Sequence, residues 1–128
     1  MPLYTVTTQD GLLSAKQRDV IAAGLVRIHT AVMGVPADFV HSIFPTYPAG
    51  HAYVAANHAP VASILAVIRA GHSSEEKTRL VQALWKMFHD ETKVSDRDFS
   101  VALQEVPASQ AMENGVIMPD VGHEKERS

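Results

Sequence analysis

The chain has 128 residues and a mass of 13.9 kDa, enough for one domain with a substantial core but too little for two. Hydrophobic residues make up 46%, a share typical of a globular protein, and the formal charge of -3 gives no electrostatic reason to expect a nucleic acid or an anionic membrane surface as partner. There is no cysteine, which excludes disulfides, thiol catalysis and thiolate metal sites.

The start of the chain lacks the charged segment and long apolar run of a signal peptide. The longest apolar-rich runs, such as Val61 to Ile68, are too short to cross a bilayer. We therefore expect a cytoplasmic protein that does not associate with membranes.

The first part of the chain predicts a strand, a helix and a second strand. Leu3–Thr8 is rich in β-forming residues, and Ser14 with Gln17 forms the capping-box pattern that opens a helix. Apolar residues then recur at i, i+4, i+7 and i+11, which predicts one apolar stripe along the helix: Ile21, Leu25, Ile28 and Val32. Gly34 ends the helix, and Phe39–Phe44 is the predicted second strand.

The second part repeats this order. It predicts a strand at Val61–Ile68, a capping box at Ser73 and Glu76, a helix to about Thr92, and a strand at Phe99–Val106. A shift of 60 positions superposes identical residues: Gly11 on Gly71, Ser14 on Ser74, His29 on His89, Asp38 on Asp98 and Phe39 on Phe99. The chain is therefore predicted to be a duplication.

These elements predict an α/β (α+β) fold. A helix between two strands joins them in parallel, so two β-α-β repeats (about residues 2–48 and 61–107) and a C-terminal tail would make up a single domain. The repeats would form one four-stranded sheet with both helices on one face. Because the other face lacks a cover within the chain, we expect an oligomer.

Pro2 stands between the initiator Met1 and the first strand. If Met1 is removed, Pro2 becomes a secondary amine that can carry and release a proton, which an internal proline cannot do. An α-amino group has a pKa near ~8, and burial or nearby cations lower it toward the neutral values that suit acid–base catalysis. The alternative is that Pro2 only stiffens the chain end or promotes removal of Met1.

Three motifs accompany this start. Pro48-Ala49-Gly50 follows the second strand, Ile68-Arg69-Ala70-Gly71 follows the third, and a tail from Glu105 to Gly115 runs into Pro119-x-x-Gly122-His123-Glu124. With the proline-headed strand and the duplication, they resemble the tautomerase superfamily and, within it, the cis-3-chloroacrylic acid dehalogenase group. The resemblance covers nearly the whole chain. It implies a trimeric enzyme without cofactor or metal that acts on a small carboxylic acid.

The resemblance also implies roles for single residues. Pro2 matches the catalytic amino-terminal proline of the family, and His29 matches a histidine that helps to hold the substrate carboxylate. Arg69 matches the first of two substrate-binding arginines, and Glu113 matches the carboxylate that activates water. These positions are the candidate catalytic and substrate-binding residues.

Two positions depart from the family pattern. The second arginine falls on His72, and a tyrosine that assists water activation falls on Ala102. Arginine is always charged and presents a rigid fork to a carboxylate, whereas the charge of histidine varies near neutral pH. We therefore expect tautomerisation of a small 2-oxo or unsaturated acid, with His72 as a substrate-binding residue. Hydrolytic dehalogenation or hydration of a 3-substituted acrylate is the enzymatic alternative, and a non-catalytic trimeric binding or scaffold protein is the alternative from another class.

Each candidate also has a structural interpretation. His29 has a repeat partner in His89, which favours a structural role, and Glu113 could be an ordinary solvated loop charge. His72 could be a plain turn residue. Arg69 ends a strand, which is where sheet proteins often place ligands, but solvated arginines are also common there. The remaining histidines show no H-E-x-x-H or similar pattern, so no metal site is expected.

Overall fold

The computed structural model describes residues 1–123, so Glu124 of the tail motif and the charged residues that follow it lie outside the described part of the chain. Two helices are present, α1 (Ala15–Met33) and α2 (Ser74–Thr92). The strands in chain order are β1 (Leu3–Gln9), β2 (His41–Ile43), β3 (Thr46–Tyr47), β4 (Tyr53–Val54), β5 (Asn57–His58), β6 (Ala62–Arg69), β7 (Phe99–Val106), β8 (Met112–Glu113) and β9 (Val116–Ile117). Within the described residues, neither helix is long and apolar enough to cross a membrane.

The main sheet has the strand order β2-β1-β6-β7. β1 runs parallel to β2 and β6 runs parallel to β7, with a helix between the members of each pair. The central pair, β1 and β6, is antiparallel, with Leu3 opposite Val67 and Thr7 opposite Ser63. The predicted fold of two β-α-β units in one sheet, with both helices on one face, is confirmed.

Both predicted capping boxes begin their helices. The Ser14 hydroxyl accepts from the Gln17 backbone N–H at 3.1 Å, and the Gln17 side chain accepts from the Ser14 N–H at 3.0 Å. Ser73 and Glu76 form the same reciprocal pair at the start of α2. These bonds satisfy amide groups that have no partner within the helix, which explains why the sequence located both starts correctly.

The superposition of His29 on His89 is wrong. The helices begin at Ala15 and Ser74, a shift of 59 residues, because the loop before α2 is one residue shorter than the loop before α1. The structural equivalent of His29 is therefore the fully buried Phe88. The repeat thus places an apolar core residue where α1 has a histidine.

The second strand begins later and extends further than the predicted Phe39–Phe44. Residues Ala37–Phe39 form a 3-10 turn, and β2 and β3 then pair with β1 in one continuous register. Pro45 lies between β2 and β3 and has no N–H to donate to a ladder, which interrupts the strand.

The sheet buries only one of its faces. Tyr4, Val6 and Ile64 point toward the helices and are almost completely buried. On the opposite face, Ile43 is 52% exposed and Leu65 is 38% exposed. This uncovered apolar face is the feature that led the sequence to predict an oligomer.

Candidate active site

Pro2 directly precedes β1, and its side chain is fully buried. Its carbonyl oxygen accepts a hydrogen bond of 3.1 Å from the backbone N–H of His41, which fixes the start of the chain against β2. Because Leu3 pairs with Val67 in the antiparallel ladder, Pro2 lies beside the end of β6 that carries Arg69. The chain start and the end of a central strand therefore meet at one edge of the sheet.

Glu113 reaches the same place from the tail. It lies on β8, which forms a hairpin with β9, and both turn residues between them have positive φ, 53° at Asn114 and 79° at Gly115. That pair of residues suits a type I′ turn. The carboxylate of Glu113 forms an ion pair with the amino group of Met1. The tail hairpin thus brings a carboxylate to the residue that precedes Pro2.

A cavity of about 410 Å³ lies beside Glu113 and is lined also by Asp38, Phe39, His41 and Asn114. Its volume falls in the range of small-molecule sites. A cavity of about 420 Å³ lies against the helices, but no candidate site residue lines it. The two cavities are similar in volume. The first differs from the second because a candidate site residue, Glu113, lines it.

Arg69 is the last residue of β6 and is only 2% exposed. Its Nη1 donates a hydrogen bond of 2.6 Å to the carbonyl oxygen of Pro119, so the tail passes over the end of this strand. Gly71 lies close by in the sequence with φ of 121°, and a Cβ there would be 3.3 Å from the side chain of Val121. The arginine is therefore a buried cation held between a strand end and the tail.

His29 lies on the helix face that packs on the sheet and is 1% exposed. Its Nδ1 is 2.7 Å from the hydroxyl oxygen of Tyr4. Burial, and then the charges of His72, the amino terminus and Arg69, lower the pKa of His29 from 6.5 to about 3. The imidazole is therefore neutral at neutral pH, and these three groups are its electrostatic neighbours.

His72 occupies the loop between β6 and α2, with an almost fully buried side chain. Its Nδ1 is 3.8 Å from Oε2 of Glu76, which is too long for a hydrogen bond, and it has no other partner among the described residues. The backbone and side chain of Ser73 lower the pKa of Glu76 by hydrogen bonding, and the charge of His72 adds to this. An ionised carboxylate therefore lies beside the His72 ring.

The five predicted site residues fall at this edge of the molecule: Pro2, His29, Arg69, His72 and Glu113. Ala102, the position that departs from the family's tyrosine, lies elsewhere: it pairs with Leu65 on the uncovered face of the sheet and is exposed. Within residues 1–123 no group of three or more histidine or carboxylate side chains could hold a metal ion.

Sequence reasoning missed Tyr4. The alternation of β1 places this tyrosine among residues that face the helices, and a buried tyrosine usually requires a hydrogen-bond partner. That requirement is the signal in the sequence by which Tyr4 could have been recognised as a polar contact in the core. The identity of the partner, His29, follows only from the packing of α1 on β1.

Comparisons with known proteins agree with this fold. The model of a family described as "Putative oxalocrotonate tautomerase enzyme" matches residues 1–128. The chain is similar to the crystal structure of N1, a member of the cis-3-chloroacrylic acid dehalogenase family, with 28% identity, coverage of 98% of this chain and 89% of N1, and a TM-score of 0.93. Native Ps01740 is 34% identical, with coverage of 87% and 99% and a TM-score of 0.85. A fused 4-OT solved as a symmetric trimer is 23% identical, with coverage of 90% and 94% and a TM-score of 0.81. No curated protein sequence matches significantly.

Proposed function

Since this chain belongs to the oxalocrotonate tautomerase-like family, within the cis-3-chloroacrylic acid dehalogenase-like group of the tautomerase superfamily, we propose that this enzyme is a cofactor-free tautomerase that uses the amine of Pro2. It transfers a proton on a small 2-oxo or unsaturated carboxylic acid. The observation that carries the proposal is the position of Pro2, buried at the sheet edge where Arg69 and Glu113 also lie.

The proton carrier is the secondary amine that forms when Met1 is removed. A buried amine loses hydration that favours its charged form, and the cation of Arg69 at the same sheet edge disfavours that form further, whereas the Glu113 carboxylate favours it. The proposal requires that burial and the cation outweigh the carboxylate, so that the pKa of the amine falls toward neutral pH, where a single group donates and accepts a proton efficiently. An intact mass equal to that of residues 2–128 is the first requirement.

Arg69 binds the substrate carboxylate and stabilises the enolate charge that develops in the transition state. Its guanidinium is charged at every relevant pH and offers a planar fork of donors to a carboxylate. His29 adds a neutral donor, and His72 adds a cation when it is protonated beside Glu76. These groups stabilise developing negative charge most strongly because they are shielded from water.

Hydration or hydrolytic dehalogenation of a 3-substituted acrylate is the second candidate. The similarity to N1 and the position of Glu113 favour it, because a carboxylate beside the site can activate a water molecule. Two features oppose it. His72 lacks the fork of an arginine, and Ala102 supplies no hydroxyl group to position water.

We also propose a homotrimer, with the uncovered sheet face as the subunit interface. Leu3, Ile43 and Leu65 on that face are apolar and at least 36% exposed in the single chain. The similar fused 4-OT forms a trimer. A trimer would also place position 102 at a subunit boundary. The alternative of a trimeric scaffold without chemistry predicts the same assembly but no turnover.

The test is a pair of assays on the purified protein. Conversion of an aryl enolpyruvate to its keto form should be readily measurable, and halide release from cis-3-chloroacrylate should be weak or absent. Efficient halide release would favour the second candidate. No turnover of either substrate by protein whose mass shows Pro2 at the amino terminus would support the scaffold instead.

A further inference from the structure

Tyr4 makes a polar contact at the centre of an apolar layer. It lies on β1, two residues after Pro2, and its side chain is 0% exposed. Its ring meets that of His29 edge to face, with centroids 5.6 Å apart and planes at 85°, and its hydroxyl oxygen is 2.7 Å from Nδ1. The contact links the strand that starts at Pro2 to the helix that carries His29.

The direction of this hydrogen bond follows from counting hydrogens. Burial raises the pKa of the Tyr4 hydroxyl, so the phenol keeps its hydrogen at every relevant pH. The imidazole of His29 is neutral and carries a hydrogen on only one of its two nitrogens. Among residues 1–123, His29 Nδ1 is the hydrogen-bond partner found for the Tyr4 hydroxyl. If Nδ1 carried the hydrogen, the phenol hydrogen would be buried without an acceptor, which is costly.

We propose that Tyr4 is a positioning residue that donates to Nδ1 and thereby holds His29 as the tautomer with its hydrogen on Nε2. His29 then presents a neutral N–H donor toward substrate, on the side of the ring opposite Tyr4. In the other tautomer Nε2 would be an acceptor, and it would repel a carboxylate or enolate oxygen. The catalytic part of this inference rests on the proposed function, whereas the tautomer itself does not.

The tautomer is measured by NMR of protein labelled with ¹⁵N in its histidine rings. The His29 signals are identified as those lost in His29→Gln. In the unmodified protein, Nδ1 should be the pyridine-like nitrogen without hydrogen and Nε2 should be the protonated one. In Tyr4→Phe, which keeps the ring and its packing, the preference should be lost. A protonated Nδ1 in the unmodified protein, or an unchanged pattern in Tyr4→Phe, would overturn the assignment.

Kinetics tests the consequence. Tyr4→Phe should lower kcat for tautomerisation by about 10- to 100-fold, as removal of a group that orients a site residue commonly does. The matched control is Tyr47→Phe, which removes a hydroxyl that donates to the Val61 carbonyl outside the candidate site and should leave kcat within about twofold. An unchanged kcat in Tyr4→Phe would refute the positioning role. If the unmodified protein has no tautomerase activity, the proposed function fails, and the NMR result still decides the tautomer.

Discussion

Among the described residues, Arg69 is the one group of the proposed site that is both buried and charged at every relevant pH, and replacing it by alanine removes that charge. Arg69 is 2% exposed, so its interaction with a carboxylate is poorly screened by water. Loss of one member of such a charged pair typically costs about 2–5 kcal/mol. A loss of about 3 kcal/mol corresponds to a fall of about 150-fold in kcat/KM.

Both kinetic constants should change. Arg69 is proposed to hold the substrate carboxylate, which sets KM, and to stabilise the developing enolate, which sets kcat. Arg69→Lys keeps the cation but not the planar fork and should lose about tenfold. Arg79→Ala is the control, because it removes an exposed arginine of α2 and should leave kcat/KM within about twofold.

A structural effect has to be separated from the kinetic one. Arg69 Nη1 donates to the Pro119 carbonyl at 2.6 Å, so the alanine variant also loosens the tail. A hydrogen bond from a charged group contributes about 1.5–3 kcal/mol, which is less than the stability of a typical domain, so the variant should stay folded. A folded Arg69→Ala protein with kcat/KM within threefold of the unmodified enzyme would refute the role given to this residue.

Three further predictions concern the assembly, the two departures and acid stability. The protein should sediment as three copies, and Leu65→Lys should release monomers because it buries a charge in the proposed interface; a folded monomer of the unmodified chain at micromolar concentration would contradict the interface. His72→Arg combined with Ala102→Tyr should raise halide release more than tautomerisation, and efficient release by the unmodified protein would show that the departures were misread. Burial lowers the pKa of His29 from its ordinary value of 6.5 to about 3 in the folded protein, so the unfolded chain binds a proton first as the pH falls. The contribution of neutral His29 to the free energy of unfolding should therefore be complete above pH 6.5 and fall by up to about 1.4 kcal/mol per pH unit below that value. His29→Gln should reduce this dependence on pH, as measured by denaturant titrations at several pH values.

The sequence predicted the elements whose signals are local. The capping boxes at Ser14 and Ser73 and the left-handed Gly34 define helix ends through hydrogen bonds within a few residues, and all three were found. The second strand was placed less well, because the 3-10 turn at Ala37–Phe39 and the interruption at Pro45 depend on how that segment meets β1.

In the candidate site, too, the residues with local motifs were predicted, and the contacts between distant segments were not. Pro2, Arg69 and Glu113 could be named from motifs, but their approach depends on the antiparallel pairing of β1 with β6 and on the tail hairpin. The loop between β6 and α2 is one residue shorter than the loop between β1 and α1, and because of this difference the sequence comparison did not align His29 with Phe88. Tyr4 has no motif, and only the packing of α1 on β1 shows its contact with His29.

The central claim is that the amine of Pro2 carries the proton. The most direct test is kcat/KM for tautomerisation of an aryl enolpyruvate by Pro2→Ala, measured on protein whose intact mass confirms loss of Met1 and whose thermal unfolding matches that of the unmodified enzyme. Alanine also permits removal of Met1, but it replaces the secondary amine by a primary one that is not held in the proline ring. A fall of at least about 100-fold is predicted from the size of general acid–base effects. A value within threefold of the unmodified enzyme would contradict the account.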